Sequence, residues 1–289
     1  MSSHLTETSV RDSLADVITS DDEVVVIFSG IWMFGSRLGV PTSDVPKLLV
    51  DVICDSLGSH RTLLFPTYTY AYTSTRIFDR VTSAPETGVL PAHVLTRSEF
   101  ERTRSPLNSY AVVGPRSGEA CAIEDETLWG DASVMGWFDT VNARICVLGE
   151  PWHVACTHFH RAEEALRVPY RYFKRFPGAL HEDGSWVRDV SPVMFVRPLN
   201  ATLVRDYTGV APIMRSKGHV RRSRSDDVPM ESALARNIVS ACTELLRADP
   251  LGYLSNKDEI GRWIRDEKSE EMEALPDDER VIWNDRGSP

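Results

Sequence analysis

The sequence predicts an α/β fold built on a mainly parallel sheet, and three consecutive stretches carry that reading. "EVVVIF" (23–28) is a continuous β-branched run, the pattern of a strand buried on both faces. Residues 44–57 then place Val45, Leu48, Leu49, Val52 and Ile53 on one helical face, with Ser43 positioned to cap it. "TLLFPTYTY" (62–70) is a second apolar run, broken at Pro66. Strand, helix and strand at this spacing form a βαβ unit, which implies parallel pairing through a right-handed crossover.

The remaining elements follow in order. Residues 5–19 alternate apolar and polar side chains at helical spacing. "SGIWMFG" after the first strand is a loop marked by Gly30 and Gly35, and 72–88 carries no period, which predicts a long surface excursion. "VLPAHVLTR" (89–97) reads as a helix, and "SYAVVG" (109–114) and "ARICVLG" (143–149) read as strands. After 170, aromatic and β-branched runs flank "EDGS", a hairpin signal, so a smaller β-containing insertion is expected over about 171–225. A strongly amphipathic helix follows in "VPMESALARNIVSACTELLRADP". The expected organisation is one domain over 1–263 and a charged tail over 264–289, on the surface or fraying.

Composition bounds the function. With 289 residues, 42% hydrophobic and 26% charged, the chain is ordinary globular protein with enough length for a substantial core. No apolar run approaches the ~20 residues of a membrane span. The N-terminus lacks the basic-then-apolar layout of a signal peptide. Five scattered cysteines without CxxC spacing point to reduced thiols and a cytoplasmic location. A net charge of −10 opposes nucleic-acid binding and suits a cationic small molecule.

Polar chemistry concentrates in "THFHRAEEALRVPY" (157–170), where a strand hands over to a helix. Open α/β sheets bind ligands beyond the carboxyl ends of their strands. His160 and Glu163 are three apart and share a helical face, so the carboxylate can orient the ring. His153, His158 and His160 have poor metal spacing, since helical ligand pairs sit three or four apart. Cys156 beside His158 lacks a nucleophile signature and reads as a half-buried strand-end residue. "PTYTYAYT" is explained by strand propensity or by a sugar-binding wall of Tyr68 and Tyr70. The arginines of "HVRRSRS" are a solvated loop or a phosphate clamp.

Taken together, seven segments in register resemble the aminoglycoside 3-N-acetyltransferase family over roughly 25–254. They are "VVVIFSG", "TLLFPTYTY", "FDRVTSAPETGVLPAHVL", "RSPLNSYAVVGP", "WGDASVMGWF", "VLGEPWHVACTHFHRAE" and "ALARNIVSACTELLRADPLGYL". The resemblance implies an α/β/α sandwich and an acyl-CoA-dependent N-acyltransferase. It would transfer acetyl from acetyl-CoA, or a larger acyl group, directly to an amine in a ternary complex, without a metal. His160 stands in the family's His-x-Ala-Glu turn as the general base, with Glu163 one helical turn away. The Ser29–Gly30 and Ser109–Tyr110 segments correspond to walls of the CoA channel, with Ser133 a further contact. Tyr68, Tyr70 and Asn108 fall where the family meets its acceptor, an aminoglycoside or other amino sugar. A homodimer is left open.

The chain also departs from the family. Phe28-Ser29-Gly30 stands where the family has His-Ser-Ser, and Ser105 and Asn108 replace two histidines. "FVRPLN" lacks the carboxylate that some members carry on the insertion, leaving Glu163 or Glu164 for that role. These changes open the acceptor to a nucleotide-linked amino sugar or a natural-product amine, and leave CoA binding without turnover as the alternative.

Overall fold

The computed structural model describes residues 5–281. Among them, strands follow in chain order as β1 (Val24–Ser29), β2 (Thr62–Pro66), β3 (Ile77–Asp79), β4 (Glu101–Arg102), β5 (Tyr110–Val113) and β6 (Arg144–Leu148). Then come β7 (Tyr172–Arg175), β8 (Gly178–Glu182), β9 (Ser185–Val190), β10 (Val193–Val196), β11 (Arg221–Arg222) and β12 (Met230–Leu234). Seven form the central sheet, in the order β11-β12-β6-β1-β2-β5-β4.

β1 lies at the middle of this sheet and pairs parallel with both β2 and β6. The other neighbouring pairs are antiparallel, so five of the seven strands point one way and β5 and β12 run against them. The βαβ unit is present, with Val24 beside Thr62 and Val26 beside Leu64, joined through the helix Val45–Leu57. That helix starts at Asp44 without a side-chain cap, so Ser43 does not cap it. Pro46 fills its first turn, where a missing N–H costs nothing.

Residues of β1 alternate between two apolar clusters. Val24, Val26 and Phe28 join one, and Val25 and Ile27 join the other. Helices Glu7–Val17, Val45–Leu57 and Val89–Val94 cover the second cluster. Helices Val134–Thr140, Ala235–Ala248 and Lys257–Asp266 cover the first. Burial on both faces explains why β1 reads as an unbroken apolar run.

Two surface segments are pinned more firmly than the sequence indicated. The stretch 72–88 is mostly exposed, as expected of a surface excursion, but is anchored: Tyr72 and Phe78 are fully buried, and β3 pairs parallel with β8. Two single aromatic anchors leave no period to read. The charged segment after 264 likewise lies mostly exposed as far as it is described, pinned at a few points. The helix Lys268–Glu273 follows, Leu275 is buried, and Glu279 lies between Arg76 and Lys174. Its last residues, 282–289, are outside the described residues, as are 1–4.

The insertion forms one small sheet, β10-β7, and adds β8 and β9 to β3 in a second, β3-β8-β9. Asp183 and Gly184 both take positive φ, 48° and 78°, making the tight turn that "EDGS" signals between β8 and β9. β11 instead pairs with β12 and extends the central sheet.

Candidate functional site

The carboxyl ends of β1, β2 and β6 lie side by side, and the polar side chains of interest follow them. After Leu148 the chain turns at Gly149, which has φ 75°. A short helix Trp152–Ala155 and a 3-10 turn Thr157–Phe159 lead into the helix His160–Ala165. Trp152, Phe159 and Ala162 are buried and fix this path. His160, first residue of the helix, is thereby held at a cleft of about 430 Å³ that Tyr70, Arg205, Asp206 and Tyr207 also line.

Glu163 is fully buried below His160, and its Oε2 meets His160 Nδ1. Its Oε1 accepts a 2.7 Å hydrogen bond from the Tyr170 hydroxyl and lies 3.1 Å from Arg171 Nε. Arg171, itself buried, donates to the Phe195 carbonyl at 3.1 Å. The Trp129 ring lies over His160, with centroids 4.5 Å apart and planes inclined at 30°. Ring position and tilt are thus fixed from two sides.

Electrostatics follow from this packing. Burial works to raise the Glu163 carboxyl, but the Arg171 guanidinium, His160 and the Tyr170 hydroxyl outweigh it and hold the pKa at about 2. Burial lowers His160 below its ordinary value; Glu163 opposes that, and Arg171 and Arg205 add to it. Burial thus favours the neutral imidazole. The charged Glu163 accepts a hydrogen bond from Nδ1–H, which leaves the Nε2 lone pair as the basic position.

Other candidates divide sharply. Tyr70 is 46% exposed at the cleft, but Tyr68 is 1% exposed, with its hydroxyl 2.7 Å from the Tyr110 hydroxyl. Tyr68 and Tyr110 are core residues with no ring face left for a ligand. Ser109 is buried, donating to the Thr67 carbonyl at 2.7 Å and accepting from Arg102 Nε at 3.0 Å. Ser133 caps the helix Val134–Thr140, its Oγ accepting from Gly136 N at 3.1 Å. Asn108 is also buried and lines neither cleft described here. The hydroxyl alternation after β2 reflects burial of every second ring rather than an aromatic wall.

Ser29 and Gly30 line a second cleft of about 350 Å³, with Trp32, Gly88, Val89 and Pro91 among its walls. The Glu150 side chain lies against Gly30 where a Cβ would stand, and its Oε1 accepts from Trp32 Nε1. Gly30 N–H donates to the Leu148 carbonyl at 2.9 Å, so it is already spent.

Among the alternative chemistries, Cys156 is buried and its thiol is pushed up to about 12 by burial. It is not a poised nucleophile. His158 is fully buried, its Nε2 3.1 Å from Asp139 Oδ1, and serves the packing. Among the described residues no group of three His, Cys, Asp or Glu could hold a metal. Glu164 accepts from the Thr127 hydroxyl. Of the "HVRRSRS" arginines, Arg221 pairs with Asp22, Arg222 with Asp226 and Arg224 with Asp16.

Tyr170, Arg171, Arg205, Asp206 and Tyr207 were not legible as site residues. Tyr170 and Arg171 come after the helix carrying Glu163 has ended, beyond the reach of its periodicity. Arg205–Tyr207 sit in the connection between β10 and the helix Val210–Ser216, where no motif marks them. An arginine within ten residues of a buried-pattern His-x-x-Glu was the one available signal.

Comparison with known proteins adds the following. The family profile described as aminoglycoside 3-N-acetyltransferase matches residues 36–247. Aminoglycoside acetyltransferase AAC(3)-IVa, as apoenzyme, superposes with a TM-score of 0.68 at 20% identity, covering 89% of this chain and 96% of that one. AAC-IIIb in a binary complex with CoASH gives 0.70 at 20% identity, over 84% and 97%. A mutant of AAC(3)-IVa in complex with apramycin gives 0.67 at 19% identity, over 86% and 95%. These likenesses show the fold. No curated protein matches the chain.

Proposed function

The chain belongs to the aminoglycoside 3-N-acetyltransferase family and is thus an acyltransferase, and on that premise we propose that it acetylates an amine from acetyl-CoA with His160 as base. The observation that carries this is the imidazole at the cleft, held through Nδ1 by the buried Glu163 carboxylate. Helices on both faces of the sheet support reading the fold as the family's α/β/α sandwich.

An amine is protonated at neutral pH and becomes a nucleophile only when a base takes a proton. In the proposed step the ammonium first loses one proton to solvent; the free amine nitrogen then bonds to the thioester carbonyl carbon while His160 Nε2 receives the nitrogen's second proton. Collapse of the tetrahedral adduct breaks the C–S bond, and the departing sulfur takes that proton from His160, releasing free CoA. Glu163 stabilises the imidazolium in between, and Arg171 keeps Glu163 ionised so that Nδ1–H stays donated. No covalent enzyme intermediate is needed.

The relative AAC-IIIb was solved with CoASH, which supports placing acetyl-CoA against Ser29 and Gly30. The apolar walls and side-chain-free glycines of that cleft suit an extended pantetheine arm. The acceptor then enters from the Tyr70 side.

A thiol-release assay with acetyl-CoA and a panel of amino sugars and aminoglycosides tests the reading. Acceptor-dependent release of CoA is the expected result; acetyl-CoA left intact with every amine would remove the acyltransferase assignment.

A further inference from the structure

The charges lining the His160 cleft do not match those of the whole chain. Overall the protein carries −10, yet the cleft lining holds one carboxylate, Asp206, and one guanidinium, Arg205, with His153 and His160 beside them. Asp206 is partly committed already. Its Oδ1 accepts from Thr208 N at 3.0 Å and from the Thr208 hydroxyl. Glu163, behind His160, is balanced by Arg171. Arg205 is exposed, sits close enough to act electrostatically on His160, Tyr70 and Tyr207, and makes no ion pair among the described residues.

Distant surface charge is screened within about 8–10 Å at physiological salt, so acceptor choice is set by the lining. An aminoglycoside brings several ammonium groups, and each needs a carboxylate or a set of carbonyl acceptors once desolvated. A half-used Asp206 and Glu86 beside Tyr70, which already accepts from Ala71 N at 2.6 Å, are too few to supply them, and Arg205 would repel them. A planar guanidinium does suit the oxygens of a carboxylate or phosphate. The exposed ring of Tyr70 and the ring of Tyr207, 6.0 Å from His160, offer apolar faces for one sugar ring.

We propose that the acceptor is a small amino sugar bearing one anionic group, held by Arg205 through that group, with its amine directed to His160. This rests on the acyl-transfer reading and narrows its substrate class. Phosphate and carboxylate share the required chemistry, and the assay separates them.

The experiment compares glucosamine, glucosamine 6-phosphate, 2-amino-2-deoxyglucuronic acid and apramycin as acceptors for the wild type, Arg205→Ala and Arg205→Lys. Arg205 is exposed, so matched melting temperatures will confirm that the variants fold. One anionic acceptor is expected to exceed glucosamine in kcat/KM by roughly tenfold or more, the scale of one charge-assisted contact. Arg205→Ala should erase that advantage through KM with little change in kcat, and Arg205→Lys should restore part of it. A lead for the phosphate ester identifies phosphate as the group, and a lead for the uronic acid identifies carboxylate.

Apramycin as best acceptor, with anionic acceptors indifferent to Arg205→Ala, overturns the inference and leaves acyl transfer standing. If no acceptor releases CoA, calorimetry of the two anionic sugars with CoA-saturated protein decides separately. Binding weakened by Arg205→Ala supports the inference, and no binding, or equal binding, overturns it.

Discussion

Arg171 Nε lies 3.1 Å from Glu163 Oε1, while the other oxygen of that carboxylate meets His160 Nδ1. The cation, the anion and the ring meet as a three-way cluster, with Arg171 Nη2 also 3.4 Å from His160 Nδ1. The arrangement gives Arg171 two separable effects: it keeps Glu163 charged, and it lowers His160.

Arg171→Met should destabilise the protein by about 3–5 kcal/mol, because it strands a buried carboxylate. It should also move the acid limb of the kcat/KM profile to higher pH, since one cause of the lowered His160 pKa is gone. Arg171→Lys should recover part of both. A pH–rate profile is the deciding readout: a loss of stability with an unmoved acid limb would leave Arg171 a packing residue only.

Stability should respond to pH with two opposite signs. Glu163 has a folded pKa of about 2 against an ordinary 4.5, so its contribution is present above about 4.5 and is lost as pH falls towards 2. Glu164, pushed up to about 7 chiefly by burial, does the reverse: its folded form holds its proton, and stability is lost as pH rises from about 4.5 through 7. Urea unfolding of Glu164→Gln should show its largest gain over wild type at pH 8 and little at pH 4. An equal difference at both pH values would contradict the assignment.

Neighbouring tyrosines should part company. Tyr70→Ala should raise the acceptor KM and spare the KM for acetyl-CoA, because Tyr70 alone of the pair is exposed at the cleft. Tyr68→Ala should instead cost about 3–5 kcal/mol of stability, as expected for a large buried ring. Steady-state kinetics of both variants, paired with unfolding curves, will show whether the roles separate.

These variants also mark what the sequence could reveal. The β1–β2 crossover was legible because burial on both faces leaves an unbroken apolar run, and the His160–Glu163 pair because helical spacing puts both on one face. Alternation at Tyr68, Tyr70 and Tyr72 showed only that rings share one side or path. It gave no sign that Tyr68 and Tyr72 would be sealed in the core, since burial depends on Tyr110 and Phe176 from distant segments. Likewise Arg171 and Arg205 reach the site through loops, where charge carries no period. Ser109 and Ser133 matched a family pattern, yet hydroxyls satisfied by Thr67 and Gly136 serve the backbone.

The central claim is that His160 Nε2 takes the acceptor's proton, and His160→Ala tests it most directly. CoA release with the best acceptor should be measured at saturating acetyl-CoA, beside calorimetric CoA binding to the same variant. The expected result is a fall in kcat of roughly 10²–10⁴-fold with CoA affinity unchanged. Turnover near the wild-type rate would contradict it and remove His160 from the chemistry.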